Sequence, residues 1–160
     1  MLTPGTAAPE FTLESVEGRA TSLASLVERG PAAVVFFKAG CPTCQFTFPF
    51  LNRLAALKAA GLTVVAVSQD DAAATRQFLE RYGMDVPALV DEQPSPGRVS
   101  YPTSKAFQIT HVPSIFVVEP DRRILMSAHG FNRAAMEELG KLAGQSPFRP
   151  GEEIPEVRPG

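Results

Sequence analysis

The sequence predicts an α/β fold, a central mixed β-sheet flanked by helices, with an N-terminal hairpin and a central insertion. Three observations carry this. Two apolar runs, "AAVVFF" and "TVVAV", alternate with segments of helical period, which is the βαβ rhythm of parallel strands. A second pair of runs, "SIFVVE" and "ILMSAH", is separated only by the turn residues "PDRR", and strands so joined are antiparallel. The chain has 160 residues, 44% of them hydrophobic and 20% charged, which suffices for one self-supporting core.

In chain order, "PEFTLESVEGRATSLASLVERG" alternates apolar and polar residues through Phe11 and Leu13, turns at Glu17 and Gly18, and offers a short helix over about 22–28. "PAAVVFFKAG" is a continuous run of β-branched and aromatic residues bounded by Pro31 and Gly40, as expected of a central strand buried on both faces. From Cys41 to Ala60 the period becomes helical. Phe46, Phe50, Leu54 and Leu57 form one side, Gln45, Asn52, Arg53 and Lys58 the other, and Gly61 supplies the stop.

"LTVVAVSQD" is a second buried strand, and "DAAATRQFLERYGM" a helix ending near Gly83. "VPALVDE" reads as a short strand, "QPSPGRVSYPTS" as a loop rich in proline, and "KAFQITH" as about two turns of helix. After the antiparallel pair, "NRAAMEELGKLAG" is an amphipathic helix begun by Asn132. Residues 1–144 form the expected domain. Residues 145–160 hold four of the fifteen prolines and are expected to be an extended or disordered tail.

Charge and composition narrow the function. A net charge of about −2 without a basic cluster argues against nucleic acid as a partner. No apolar run approaches the roughly 18 residues that span a bilayer. "MLTPGTAAPEFTLE" has neither the basic nor the apolar region of an export signal, so a cytoplasmic setting is expected. The alternative is an extracytoplasmic one, were such a signal removed from ahead of Met1.

The chain's two cysteines, Cys41 and Cys44, stand three residues apart in "FFKAGCPTCQFTFPFL". At that spacing on a helix the two side chains share one face, close enough for sulfurs to bond after small adjustments. Pro42 fits a first helical turn, where an N–H has no intrahelical partner. There the positive end of the helix dipole favours a Cys41 thiolate by up to about 2 kcal/mol. Cys44, one turn further in, stays a thiol until it attacks. Cys41 is therefore the expected nucleophile and Cys44 the resolving residue. A zinc centre needs four ligands, and His111 and His129, the only histidines, lie far down the chain without ligand spacing. No metal and no organic cofactor is expected.

The strand, the "CPTC" motif and the helix after it resemble the active-site region of the thioredoxin superfamily, and the likeness covers roughly residues 8–144. Pro49 stands where thioredoxins carry a helix-kinking proline. Pro113 in "HVPS" resembles the family's cis-proline, which faces the dithiol. The N-terminal hairpin and an insertion over about 71–104 are more similar to the TlpA-type, redoxin branch than to minimal thioredoxin. The resemblance implies a thioredoxin-like fold and a thiol-disulfide oxidoreductase that reduces protein disulfides and is restored by an upstream thiol reductant. It implies substrate contacts at Gly40, Pro42, Thr43, Val112 and Pro113.

Two positions depart from the family. Gly40 replaces the tryptophan before the first cysteine, and Val35 replaces a buried acid, leaving Lys38 or Asp70 as candidates for proton transfer. The alternatives are a slowly turning redox sensor or binding module, favoured by these departures, and a peroxiredoxin-like thiol peroxidase. Against the latter, the PxxxTxxC signature is missing: Lys38 precedes Cys41 where threonine is required.

Overall fold

A computed structural model describes residues 1–57, 61–95 and 97–160. It opens with the hairpin β1 (Thr12–Ser15) and β2 (Ala20–Ser22), followed by α1 (Leu23–Leu26), whose Ser22 cap accepts the Ser25 N–H. Next come β3 (Ala32–Phe37), α2 (Pro42–Ala55), β4 (Thr63–Ser68), α3 (Ala72–Arg81) and β5 (Ala88–Val90). A small hairpin, β6 (Gln93–Ser95) with β7 (Arg98–Ser100), leads to α4 (Pro102–Ala106). The chain continues through β8 (Ser114–Val118), β9 (Ile124–His129), β10 (Phe131–Asn132), α5 (Arg133–Ala143) and β11 (Val157–Arg158).

Seven strands form one mixed sheet in the order β2-β1-β5-β4-β3-β8-β9. β3 runs parallel to β4 and antiparallel to β8, and β4 is parallel to β5. All six residues of β3 are buried. Successive side chains of a strand point to opposite faces, so β3 feeds two cores. Val35 and Phe37 join Cys44, Phe48, Leu51 and Leu54 of α2, Phe78 of α3, and Met136 and Leu139 of α5. Val34 and Phe36 join Leu23, Val27, Phe107 and Phe116 on the other face. The sheet is thus covered on both sides, as the continuous apolar run requires.

Three elements differ from the sequence reading. Helix α2 stops at Ala55 instead of 60, with Ala56 as its cap, so Gly61 is not its terminator. Its buried side centres on Thr47, Phe48, Leu51 and Leu54 rather than on Phe46. Lys58, expected on the polar side, lies outside the described residues.

The second difference is the expected loop over 93–104, which contains the β6–β7 hairpin in register Pro94↔Val99. In the third, the helix expected over 105–111 instead spans Pro102–Ala106. A tertiary contact sets its start: the carboxylate of Asp91, fully buried, accepts the N–H groups of Thr103 at 2.9 Å and Ser104 at 2.7 Å, and the Ser104 hydroxyl at 2.7 Å. It closes at Gln108, whose φ is 55°.

Composition suggested an extended or disordered tail from residue 145; in the structure this segment packs back onto the domain. The Arg53 guanidinium grips the Glu152 carboxylate at 2.9 and 2.7 Å and the Pro147 carbonyl at 2.8 Å. Phe148 packs on Phe50 with ring centroids 5.3 Å apart. β11 then pairs with β10, Phe131 opposite Arg158 and Asn132 opposite Val157.

Two expectations about stability follow. Asp91→Ala strands two buried N–H groups and a hydroxyl, and should lower the unfolding free energy by about 2–4 kcal/mol, seen as a lower urea midpoint at unchanged m. Arg53 holds the Glu152 carboxyl down, from the ordinary 4.5 to about 2. A carboxyl titrating lower when folded stabilises above its unfolded pKa and loses that stabilisation as pH falls through the folded one. The stability advantage of wild type over Glu152→Gln should therefore be full above about pH 5 and fade between 4.5 and 2.

Candidate active site

The site forms at one end of the sheet, where strand pairing brings separate loops together. Phe37 at the end of β3 lies opposite Ser68 at the end of β4, and Phe36 lies opposite Ser114 at the start of β8. The segment after β3 carries Lys38, Gly40 and both cysteines, the one after β4 carries Asp70, and the one before β8 carries Val112 and Pro113. Hydrogen bonds fix the first loop: the Cys41 N–H donates to the Lys38 carbonyl at 3.2 Å, the Gln45 amide to the Ala39 carbonyl at 2.9 Å, and the Ala39 N–H to the Asp70 carboxylate at 2.7 Å.

Cys41 is the N-cap of α2, extended at φ −82° and ψ 117°, and Pro42 opens the helix. Its sulfur accepts the Cys44 N–H at 3.3 Å, so one of the helix's unpaired donors is aimed at the thiol. The Cys41 thiol in turn donates to the Val112 carbonyl at 3.4 Å. The Val112–Pro113 peptide is cis. Both cysteines are free thiols, Cys41 partly accessible and Cys44 buried.

The two thiols occupy different electrostatic settings. Burial pushes the Cys44 thiol far up, the neighbouring Cys41 and the negative Asp70 add to this, and a backbone hydrogen bond at Lys38 works the other way. Val35, in place of the family's buried acid, lies in the same apolar cluster as Cys44 and offers it no polar contact. Lys38 places its ammonium over the Tyr101 ring, 5.4 Å from the centroid. Tyr101 lines a groove of about 850 Å³ with Gln69, Arg98, Lys105 and Gln108.

Several contacts at this end join residues far apart in the sequence and carry no local signal. Thr43, buried, donates to the Pro159 carbonyl at 2.6 Å, which brings the tail to the dithiol. His111 and His129, read separately as surface or loop residues, are exposed but stand together, ring centroids 5.9 Å apart. The register Ser114↔His129 causes this and becomes legible only once the β8–β9 pairing is known. Among the described residues, no group of three or more His, Cys, Asp or Glu could hold a metal ion, and no helix is long and apolar enough to cross a membrane.

A dithiol at a helix start, facing a cis-proline across the end of a mixed sheet, defines a thioredoxin-like oxidoreductase. The chain belongs to the AhpC/TSA family, a redoxin group of the thioredoxin superfamily, whose family model matches residues 4–126. It is 24% identical over 131 residues to the thiol-disulfide oxidoreductase ResA of Bacillus subtilis, covering 81% of this chain and 69% of ResA. A Mycobacterium tuberculosis protein named as a peroxiredoxin is 31% identical over 153 residues, covering 88% of this chain and 92% of the relative. Among solved structures, a thiol:disulfide interchange protein (DsbE) from Chlorobium tepidum superposes with a TM-score of 0.73 at 24% identity, over 89% of this chain and 99% of that one. That likeness supports the thioredoxin-like fold.

The unequal thiols give a direct expectation. Limited iodoacetamide at pH 7.5 should label the reduced protein at Cys41 and leave Cys44 at least tenfold slower, read by peptide mass mapping. Equal labelling would remove the distinction between them.

Proposed function

We propose that the protein reduces disulfides, with Cys41 as nucleophile and Cys44 as resolving cysteine. The observation that carries this is the Cys41 sulfur held between the Cys44 N–H at 3.3 Å and the Val112 carbonyl at 3.4 Å, with Cys44 buried behind it. The Cys41 thiolate attacks one sulfur of a substrate disulfide. That S–S bond breaks, a mixed disulfide forms, and the first substrate sulfur leaves as a thiolate that takes up a proton.

Conversion of Cys41 to a mixed disulfide removes its influence on Cys44, one of the effects that hold the second thiol protonated. Cys44 then gives up its proton and attacks Cys41, releasing the second substrate thiol and leaving the Cys41–Cys44 disulfide. An upstream thiol reductant supplies the two electrons that reopen it. In this reading Gly40, Pro42 and Thr43 line the substrate's approach, and Val112 and Pro113 present backbone to an extended protein substrate. Asp70 positions the 38–41 loop through the Ala39 N–H. Of the two candidates for proton transfer, the Asp70 carboxylate is the one with a lone pair to accept the Cys44 proton; Lys38, held over Tyr101 as an ammonium, has none.

A second reading rests on the family match and on the M. tuberculosis relative named as a peroxiredoxin. There the Cys41 thiolate attacks a peroxide, one oxygen is retained as the sulfenic acid and the other leaves as water or alcohol. Cys44 then displaces water to form the same disulfide.

Insulin reduction and peroxide consumption, measured side by side, separate the two. Cys41→Ser should abolish insulin reduction, a loss of at least 1000-fold, while Cys44→Ser should trap a mixed disulfide visible by mass spectrometry. Unchanged turnover in Cys41→Ser would overturn the assignment, and peroxide consumption without insulin reduction would establish the second reading.

A further inference from the structure

The tail reaches the dithiol by four separate contacts. β11 adds to β10 in antiparallel register, placing Arg158 opposite Phe131. The Arg158 guanidinium lies over the Phe46 ring, 4.4 Å from its centroid. The Pro159 carbonyl accepts the Thr43 hydroxyl at 2.6 Å, inside the "CPTC" motif itself. Gly160 lies so near Val112 that a Cβ there would come within 2.5 Å of the Val112 carbonyl oxygen. That oxygen is the one 3.4 Å from the Cys41 sulfur.

The opposite wall is shaped for the same approach. A Cβ on Gly130 would come within 2.4 Å of the Arg158 carbonyl oxygen and 3.1 Å of the Gly160 nitrogen, so only glycine lets the backbone pass. Its φ of +64° favours glycine independently. The tail is therefore not a loose end lying by chance on the surface. It is an extended strand seated through backbone pairing, a buried hydroxyl and an aromatic platform, the combination by which sheet edges take up peptides.

We infer that the groove between Thr43, Val112, Gly130 and β10 is a docking site for an extended, arginine-bearing polypeptide, and that residues 157–160 are its intramolecular occupant. A protein disulfide must displace them to reach Cys41 along Val112. This rests on the reading of Cys41 as the attacking thiol. A small reagent approaching the partly accessible sulfur from solvent does not need the groove, whereas a bulky one does.

The test compares the full chain with a variant ending at Glu156, which keeps the Arg53–Glu152 clamp and Phe148, and with Arg158→Glu in the full chain. The rate of Cys41 modification is read with iodoacetamide and with a polyethylene-glycol maleimide. The shortened chain should react roughly tenfold faster with the bulky maleimide, the population change expected from losing about one hydrogen bond and one cation–π contact, and Arg158→Glu, which removes the cation–π contact alone, about threefold faster. Iodoacetamide rates should change much less. The synthetic peptide Ile-Pro-Glu-Val-Arg-Pro-Gly, added to the shortened protein, should restore protection.

With insulin as substrate, shortening should lower KM severalfold while turnover of dithiobisnitrobenzoate stays the same. Bulky-maleimide rates within about twofold of the full chain, in variants with an unchanged urea midpoint, would overturn the inference. Should the shortened chain unfold, Arg158→Glu decides alone. If no form reduces insulin, the proposed activity falls, and the maleimide comparison still determines whether the tail covers the thiol.

Discussion

The arrangement of this molecule hangs on how β3 is paired. One strand, parallel to β4 and antiparallel to β8, forces the segment leaving β3, the segment leaving β4 and the segment entering β8 to meet at a single end of the sheet. Cys41, Asp70 and Val112 are neighbours for that reason and for no local one. The pairing is enforced by burial: every β3 side chain is enclosed, alternately by the α2, α3 and α5 layer and by the α1 and α4 layer. A one-residue slip would exchange the two sets and move the dithiol away from its partner loop. A crevice at the carboxyl ends of parallel strands is also where open α/β sheets generally place their ligands.

Within that frame the two thiols are made unequal by position along one helix. At the N-cap, Cys41 meets a backbone N–H and keeps contact with solvent; one turn in, Cys44 is enclosed by Phe48, Leu51 and the strand residue Val35. Desolvation dominates at Cys44, and the nearby carboxylate of Asp70 strengthens it. The segment after β4 brings the Asp70 carboxylate to this end, where it holds the loop's backbone at Ala39. In the proposed reaction, the burial of Cys44 places the difficulty at the resolving step.

The parts legible in the sequence are those set by local pattern: the two buried strands, the terminal antiparallel pair, the CxxC at a helix start, Asn132 as a cap, and the proline-bearing loop before β8. What escaped depends on contacts distant in sequence. The start of α4 is decided by Asp91, buried eleven residues before Pro102, and no helical periodicity reports it. The face of α2 that is fully buried carries Phe48 and Leu51, while Phe46 and Leu57 pack only partly buried against the same core. The proline content of residues 145–160 argues correctly against long regular elements, since proline removes donors. It carries no information about a few strong anchors such as Arg53–Glu152 and Phe148 on Phe50.

The same anchors bear on the missing tryptophan. Gly40 ahead of Cys41 contributes no aromatic ring to the mouth of the site. Phe46, displaced from the core face of α2, instead stacks edge-on to Phe131 at 5.0 Å and Phe50 at 5.5 Å, and takes Arg158 at 4.4 Å. An aromatic surface for docking is therefore present, but it lies along the helix side and is presented to whatever pairs with β10. A ring serving as a cation platform favours arginine, whose planar guanidinium stacks on an aromatic face. Because the remaining contacts at Thr43, Val112 and Gly130 are to backbone, selectivity in the proposed docking site rests mainly on the residue above Phe46 and on the small size of the one beside Val112.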